Sequence, residues 1–357
     1  MSSADLFTKT KPHKFWSAVP EVDWASWKWQ LQNRIDSVAK LRSVLESDPP
    51  PNESIESIIQ EIEKTESKFN FSITPYYFSL IDFSSPVCPI RRQALPSSEE
   101  NIELSYELRD FPKEDQMMPV PGLTHRYPDR AMLYTTHHCA MYCRFCTRKR
   151  KVSNPSTALQ QQQIQNAIDH IAQTPHLREI VLSGGDVFSF GDDGLDKLLK
   201  RTRAIEHVEI VRLGTRNLVT LPFRATVELM GIFENYLPLY IHTHFNHPKE
   251  CSLEAFQACR RLRDAGCVVN NHTVILKGIN DDESTLKELN RRLLQMGAQP
   301  YYMYHCDLTF GSSHFRTMIA DDIELVHKLH SDTKWDTDAN VPHYMVDTPG
   351  GGKIELV

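Results

Sequence analysis

Three cysteines crowd into the run His137-His138-Cys139-Ala140-Met141-Tyr142-Cys143-Arg144-Phe145-Cys146, spaced C-x3-C-x2-C. Three thiolates on one short loop can hold three irons of a [4Fe-4S] cube and leave the fourth iron open to a ligand, where a fourth cysteine would close it. An open iron can chelate the amino and carboxylate groups of S-adenosylmethionine. A reduced cluster can then pass one electron to the sulfonium and release a 5′-deoxyadenosyl radical. The competing chemistry is a zinc site completed by His137 or His138. Structural zinc sites commonly pair C-x2-C or C-x2-H units across a spacer, and no second pair occurs here. Of the eight cysteines, the other five (Cys88, Cys251, Cys259, Cys267 and Cys306) are scattered singly and read as small buried hydrophobes.

Such a loop needs a scaffold, and the pattern from about Ala131 supplies one. Short apolar runs at Met132–Thr136, Glu179–Ser183, Glu209–Gly214, Leu239–His244, Val268–Leu276 and Tyr301–Cys306 alternate with amphipathic segments. Gln163–Gln173, with Ile164, Ala167, Ile168 and Ile171 on one face, and Glu283–Met296, with Leu286, Leu289, Leu293 and Leu294, are examples. That alternation is the signature of β/α units around a parallel sheet, and six of them predict an open or incomplete barrel. Chemistry in such folds gathers at the carboxyl ends of strands, and the cysteine loop directly follows the first. The second strand ends in Ser183-Gly184-Gly185-Asp186, whose glycines can let backbone groups approach a ligand; alone, the same four residues make a simple turn.

Residues 1–110 read mainly as helix with loops. Trp24, Trp27, Leu31 and Ile35 recur at three- and four-residue steps, Leu41, Val44 and Leu45 continue a similar face, and DPPPNES at 48–54 breaks it. Ile55, Ile58, Ile59 and Ile62 predict a second amphipathic helix, and Pro86 to Pro121 a long irregular connection. With 357 residues and 40% in the hydrophobic set, the chain can bury a sizeable core. The charge sum, 40 − 46 = −6, argues against a protein that wraps nucleic acid or lies on anionic lipid. No apolar stretch is long enough for a membrane span, and the N-terminal run has charges where a secretory signal would be apolar, so a cytoplasmic protein is expected.

These residues resemble the radical S-adenosylmethionine enzymes, and within them the lysine 2,3-aminomutase family. The matching stretches are WASWKWQLQNRI at 24–35, TPYYFSLID at 74–82, GLTHRYPDR at 122–130, CAMYCRFCTRKR at 139–150, LSGGD at 182–186, HTHFNHP at 242–248, YYMYHCDLTFG at 301–311, HFRT at 314–317 and VDTPGGGK at 346–353. The resemblance implies an α/β fold: an incomplete (β/α)6 radical-SAM barrel over 111–330, with a helical N-terminal region over 1–110. A C-terminal segment over 331–357 would carry the lysine for pyridoxal 5′-phosphate.

The same resemblance assigns roles. Cys139, Cys143 and Cys146 would hold the cluster. Lys353, after three glycines where lysine-specific members usually have four, would form the Schiff base; read alone, a run four residues from Val357 is more readily a frayed terminus. Arg126, Tyr127 and Arg130 match phosphate-side contacts, with ordinary surface arginines as the alternative. Ser183, Gly184, Gly185, Asp186, His244 and His272 match positions near S-adenosylmethionine, with a core histidine as the alternative at 272. Arg148 matches the holder of the substrate α-carboxylate, within an Arg148-Lys149-Arg150-Lys151 run that could otherwise be a nucleic-acid patch. Asp307 and Asp347 match an acidic pair receiving the substrate's side-chain ammonium.

The implied activity is conversion of L-lysine to β-lysine by 1,2-amino migration, with a one-electron reductant such as flavodoxin or ferredoxin and a possible homo-oligomer. The alternatives are the same chemistry on arginine, glutamate or a lysine destined for a translation factor, or a non-catalytic zinc-binding module using Cys139, Cys143, Cys146 and His138. No structural zinc is expected, because the turn at 278–282 lacks the cysteine of larger members and the sequence stops at Val357.

Overall fold

The structure is a computed structural model that describes residues 6–66, 69–331 and 341–357. Its centre is one nine-stranded sheet in sequential order: β1 (Leu123–Tyr127), β2 (Arg130–Thr136), β3 (Glu179–Gly184), β4 (Ile210–Gly214), β5 (Leu239–Thr243), β6 (Val268–Val274), β7 (Gln299–Tyr304), β8 (His343–Asp347) and β9 (Lys353–Glu355). Strands β2 to β8 run parallel, while β1 and β9 are antiparallel to their neighbours. The six predicted strands are β2 to β7, shifted by up to two residues at their ends. The parallel series runs one strand further, in β8, and both edges carry a short antiparallel strand. Among the described residues no helix is long and apolar enough to cross a membrane.

Side-chain period explains the layers. Along β3 Ile180 and Leu182 are buried and along β4 Val211 and Leu213, while Glu179, Val181 and Ser183 and then Arg212 and Gly214 alternate with them and line a cavity. The apolar set packs against helices such as Gln161–Ala172, which buries Ala167, Ile168 and Ile171. The helix Glu283–Met296 forms as its sequence predicts. Asp282 caps it by accepting from the Thr285 backbone N–H at 3.0 Å, and Gly297 ends it at φ 74°.

The N-terminal region departs from its periodicity at one place. Trp24, Trp27, Leu31 and Ile35 do not share a helix: Glu21–Trp24 and Trp27–Gln32 are separate short turns, and Ile35 pairs antiparallel with Ile73. Ser26 restarts the chain as an N-cap, and the buried Gln30 bridges the break. Its Nε2 donates to Trp24 O at 2.8 Å and its Oε1 accepts from Tyr76 N at 2.8 Å. The 55–66 helix forms as expected, and the Pro86–Pro121 connection is irregular apart from the helix Pro89–Ala94 and two short 3-10 turns.

This region joins the main hydrophobic core of the barrel and grips the cysteine loop. Tyr142 N donates to Ser72 O at 3.0 Å, Arg144 N to Gln93 O at 3.0 Å, and Arg34 Nη1 to Cys139 O at 3.0 Å. Arg144 itself is buried against Glu100 through two bonds of 2.8 Å, and Lys149 reaches the same carboxylate. Removing one member of such a buried pair costs about 3–5 kcal/mol, so the grip is firm.

The loop's other side rests on β3. Gly185 N donates to Thr136 O and Asp186 N to His138 O. A Cβ at Gly185 would stand 2.3 Å from His138 O, and one at Gly184, at φ +124°, 2.7 Å from Thr136 O. The glycines thus let β3 press against the backbone of the cysteine loop. Gly185→Ala forces two backbones apart and is expected to destabilise the fold by about 1–3 kcal/mol, measured as a lower urea midpoint at unchanged slope. A midpoint equal to that of the unaltered protein would contradict this packing.

Candidate active site

A cavity of about 260 Å³ opens inside the curled sheet, and every strand from β1 to β9 except β8's interior positions contributes to its wall or floor. Its closure is made by side chains. Strands β1 and β9 are opposite edges of the sheet, yet Tyr127 Oη accepts from the Lys353 backbone N–H at 3.3 Å. Arg126 reaches further along the same seam: Nη1 meets Asp347 at 2.6 Å, Nε donates to Gly351 O at 2.6 Å and Nη2 to Thr348 O at 2.7 Å. One guanidinium therefore fixes the glycine-rich turn between β8 and β9. All of its nitrogens are engaged by the chain itself, which leaves Arg130 as the better-placed cation for a phosphate.

Lys353 begins β9 opposite Asp347 and points its Nζ into the cavity wall, donating to Tyr304 Oη and lying 5.1 and 4.7 Å from the Tyr302 and Tyr304 ring centroids. Burial pulls its pKa down to about 8, aided by Arg130 and Arg126 and opposed by Asp347 and Asp307. Across from it, burial pushes Asp307 up to about 8, with the Asp347 charge adding to the rise. Asp307, Asp347 and Lys353 all line the cavity, so the two predicted carboxylates and the predicted amine are brought together.

Arg148 also lines the cavity. It forms a forked pair with Glu114, from Nε at 3.0 and 3.1 Å and from Nη2 at 2.5 Å, and Nη2 touches Met132 Sδ at 2.9 Å. Its Nη1 has no protein partner among the described residues. The rest of the basic run is likewise paired: Lys149 with Glu100, Arg150 with Asp110 and Asp115, Lys151 with Asp115 at 2.7 Å. Each cation of the run is thus tied to a carboxylate of the 100–115 connection rather than presented as a bare basic face.

A polar ladder crosses the cavity floor, one residue per strand. Arg130 on β2 faces Glu179 on β3 at 3.4 Å; Glu179 accepts from Arg212 on β4 at 2.9 Å; Arg212 meets His242 on β5 at 3.4 Å; His242 Nδ1 lies 2.6 Å from His272 Nε2 on β6. Burial lowers His242 to about 3 and His272 well below the usual value, with Arg212 and the neighbouring imidazole adding to it, so both rings are neutral and one donates to the other. His244 lies beside them and burial, with Arg216, lowers it to about 4. Arg212 Nε is buried without a hydrogen-bond partner and Arg130 Nε only faces Glu179 Oε1 at 3.4 Å, so donors remain for an anion held above them.

Of the residues picked from the sequence, Arg126, Tyr127, Arg130, Arg148, Ser183, His244, His272, Asp307, Asp347 and Lys353 line this cavity, whereas Gly184, Gly185 and Asp186 do not. Asp186 is turned into the protein, where it accepts from Thr215 Oγ1 at 2.7 Å, Arg216 N at 2.7 Å and Phe188 N at 2.9 Å. Burial nonetheless raises its pKa to about 6. Glu114, Glu179, Arg212, His242 and Tyr302 line the cavity, and Tyr304 pairs with Lys353, without having been anticipated. Glu179 and Arg212 did carry a signal: a charge inside a strand of a covered parallel sheet must face an interior polar site.

The three cysteines sit beside this cavity, joined to it through Thr147 and Arg148. Cys146 Sγ accepts from the Arg148 backbone N–H at 3.3 Å, and Cys143 Sγ from Arg216 Nη1 at 2.9 Å. Burial raises the Cys146 thiol to about 11 and the Cys139 thiol well above its usual value, and the neighbouring thiols push both the same way. A multinuclear cation would take the protons' place on these two thiols, and the three closely spaced sulfurs are the donor set of an iron–sulfur cluster.

Residues 133–289 match the Radical SAM superfamily. The L-lysine 2,3-aminomutase of Fusobacterium nucleatum is 43% identical over 339 residues, covering 95% of this chain and 77% of that protein. The L-lysine 2,3-aminomutase of Clostridium subterminale is 41% identical over 340 residues, covering 95% and 79%. The glutamate 2,3-aminomutase of Clostridioides difficile is similar at 37% over 340 residues, covering 94% and 78%. With such identity along nearly its whole length, and a half-barrel whose cysteine loop follows the first parallel strand, the chain belongs to the lysine 2,3-aminomutase family of radical S-adenosylmethionine enzymes.

Proposed function

We propose that this enzyme moves the α-amino group of L-lysine to the β-carbon, giving β-lysine. The observation that carries the choice of substrate is the Asp307–Asp347 pair. Asp347 is already met by Arg126, while Asp307, at the wall of the same cavity and pushed by burial to about 8, is a carboxylate that a substrate cation stabilises and a substrate anion would not. When bound, the cluster with S-adenosylmethionine supplies a hydrogen-abstracting radical, and pyridoxal phosphate supplies a conjugated π-system across which nitrogen can migrate.

The chain's own residues divide the remaining work. Cys139, Cys143 and Cys146 hold the cluster, with Ser183, Gly184, Gly185, Asp186, His244 and His272 forming or backing the S-adenosylmethionine side. Lys353 offers an amine whose proton leaves near pH 8, with the Tyr304 hydroxyl as its partner. Arg130 and Tyr127 face the phosphate, and Arg126 keeps the lysine's turn in place. Arg148, whose Nη1 is unpaired, takes the substrate α-carboxylate while Glu114 fixes the plane of the fork. The curled sheet walls the cavity on the strand side, which limits the approach of solvent to a reactive radical. A one-electron reductant of the flavodoxin or ferredoxin type and a cytoplasmic setting go with this chemistry.

The direct test is turnover. The protein is reconstituted anaerobically with iron and sulfide, supplied with pyridoxal phosphate, S-adenosylmethionine and dithionite, and offered lysine, arginine or glutamate. A β-isomer from lysine, in excess over the others, is expected; preference for glutamate would overturn the acidic-pair argument. In the same assay Asp307→Asn should raise KM for lysine by roughly 30-fold or more, about 2 kcal/mol for one partner of a buried charge pair. Binding of pyridoxal phosphate, read from its visible absorption, should be little changed by that substitution.

Capture of pyridoxal phosphate by Lys353 needs the neutral amine. The pKa is lowered from the lysine value, so that form appears as pH rises through about 8, well before an ordinary lysine would supply it. The capture rate should therefore climb between pH 7 and 9 and level off. Asp347 holds the ammonium form, so Asp347→Asn should move the inflection downward; an inflection near 10 in the unaltered protein would refute the assignment.

A further inference from the structure

Beneath the cysteine loop lies a buried cation with no part in the steps above. Arg216 comes two residues after β4, and its fork is fixed from several sides. Nη2 donates to Gln93 Oε1 at 2.6 Å and to Glu250 Oε1 at 2.8 Å, and Nε donates to His244 O at 3.2 Å. The guanidinium lies 5.0 Å from the Phe145 ring centroid and 5.7 Å from that of Tyr77. Glu250 is fully buried and anchored in turn by Tyr77 Oη at 2.7 Å and by the backbone N–H groups of Asn246 at 2.6 Å and His247 at 3.1 Å. What this scaffold aims is Nη1, which donates to Cys143 Sγ at 2.9 Å.

We propose that Arg216 is a positioning residue that raises the reduction potential of the cluster by donating a fixed hydrogen bond to the Cys143 sulfur. The inference rests on the reading that Cys139, Cys143 and Cys146 hold that cluster. Its redox step is the gain of one electron by the [4Fe-4S]2+ state to give [4Fe-4S]+, with no bond made or broken and no proton moved. The added negative charge spreads onto the sulfurs, and a donor already aimed at one of them stabilises the reduced state more than the oxidised one. Glu250 neutralises most of the guanidinium's long-range field, so the directed hydrogen bond carries the effect. A lysine at this position could supply the charge but not span Cys143, Gln93 and Glu250 together.

The test is an anaerobic redox titration of the reconstituted full-length protein, with dithionite as electron donor and the reduced cluster read by electron paramagnetic resonance. The variants are Arg216→Lys and the double variant Arg216→Gln/Glu250→Gln, which leaves no unpaired buried carboxylate. With iron and sulfide contents equal to those of the unaltered protein, both midpoint potentials should be more negative, the double variant's more so. If the double variant holds no cluster, Arg216→Lys alone decides. An unchanged or more positive midpoint would overturn the role of Arg216. Absence of any cluster signal in the unaltered protein would instead overturn the cluster reading itself.

Discussion

An open sheet with its two edges facing each other cannot enclose a reaction unless something spans the gap, and here Arg126 does most of that. Its three bonds to Asp347, Thr348 and Gly351 bring the last strand pair against the first and set Lys353 into the cavity wall. The Tyr127 hydroxyl adds a fourth tie at the Lys353 backbone. Because these contacts are side chain to backbone or carboxylate, the barrel stays open as a hydrogen-bonded ladder while the cavity gains a wall at the seam. The lowered pKa of Lys353 and the raised pKa of Asp307 both follow from that enclosure, since burial is the largest cause of each.

The other half of the site depends on the N-terminal region. A loop of three thiols has no regular structure to hold it, so its backbone bonds to Ser72 and Gln93, and Arg144 within it to Glu100, do what a helix or strand would otherwise do. Gln93 links the two halves: its backbone carbonyl receives Arg144 and its side chain receives Arg216. The same principle disposes of the basic run at 148–151. Net charge of −6 does not preclude a cationic patch, but carboxylates at 100, 110, 114 and 115 fold over this one and turn it into a clasp.

Much of this was legible beforehand. The six parallel strands were visible because each is a short apolar run between helical periods, and the cysteine loop because its spacing has few other uses. The acidic pair and Lys353 became legible only through resemblance, since an aspartate after a strand and a lysine after glycines have commonplace explanations. The edge strands β1 and β9 were missed: LTHRY and KIE are too short and too polar to show alternation, and their pairing is fixed by tertiary contacts. The break at Ser26 was missed because the three-to-four-residue spacing of tryptophans continues across it, and a single buried Gln30 is what accommodates the change of direction. At Gly184 and Gly185 the structure shows one neighbour that needs the bare backbone, the cysteine loop. A demand for a missing Cβ is readable from sequence, but what approaches the bare backbone is not.

The seam between β1 and β9 also bears on how the molecule comes into being. Its partners are separated by 221 to 226 positions in the sequence, against a few tens for each pair of neighbouring parallel strands. Loop-closure entropy makes such a contact late, while the local β/α units can assemble as they emerge from the ribosome. The thiol loop, whose partners reach as far as Arg216, can therefore be in place before the cavity beside it gains the wall that β9 supplies. The contact that turns Lys353 into the cavity wall is thus among the last to form, so the site is completed only when the two edges of the sheet meet.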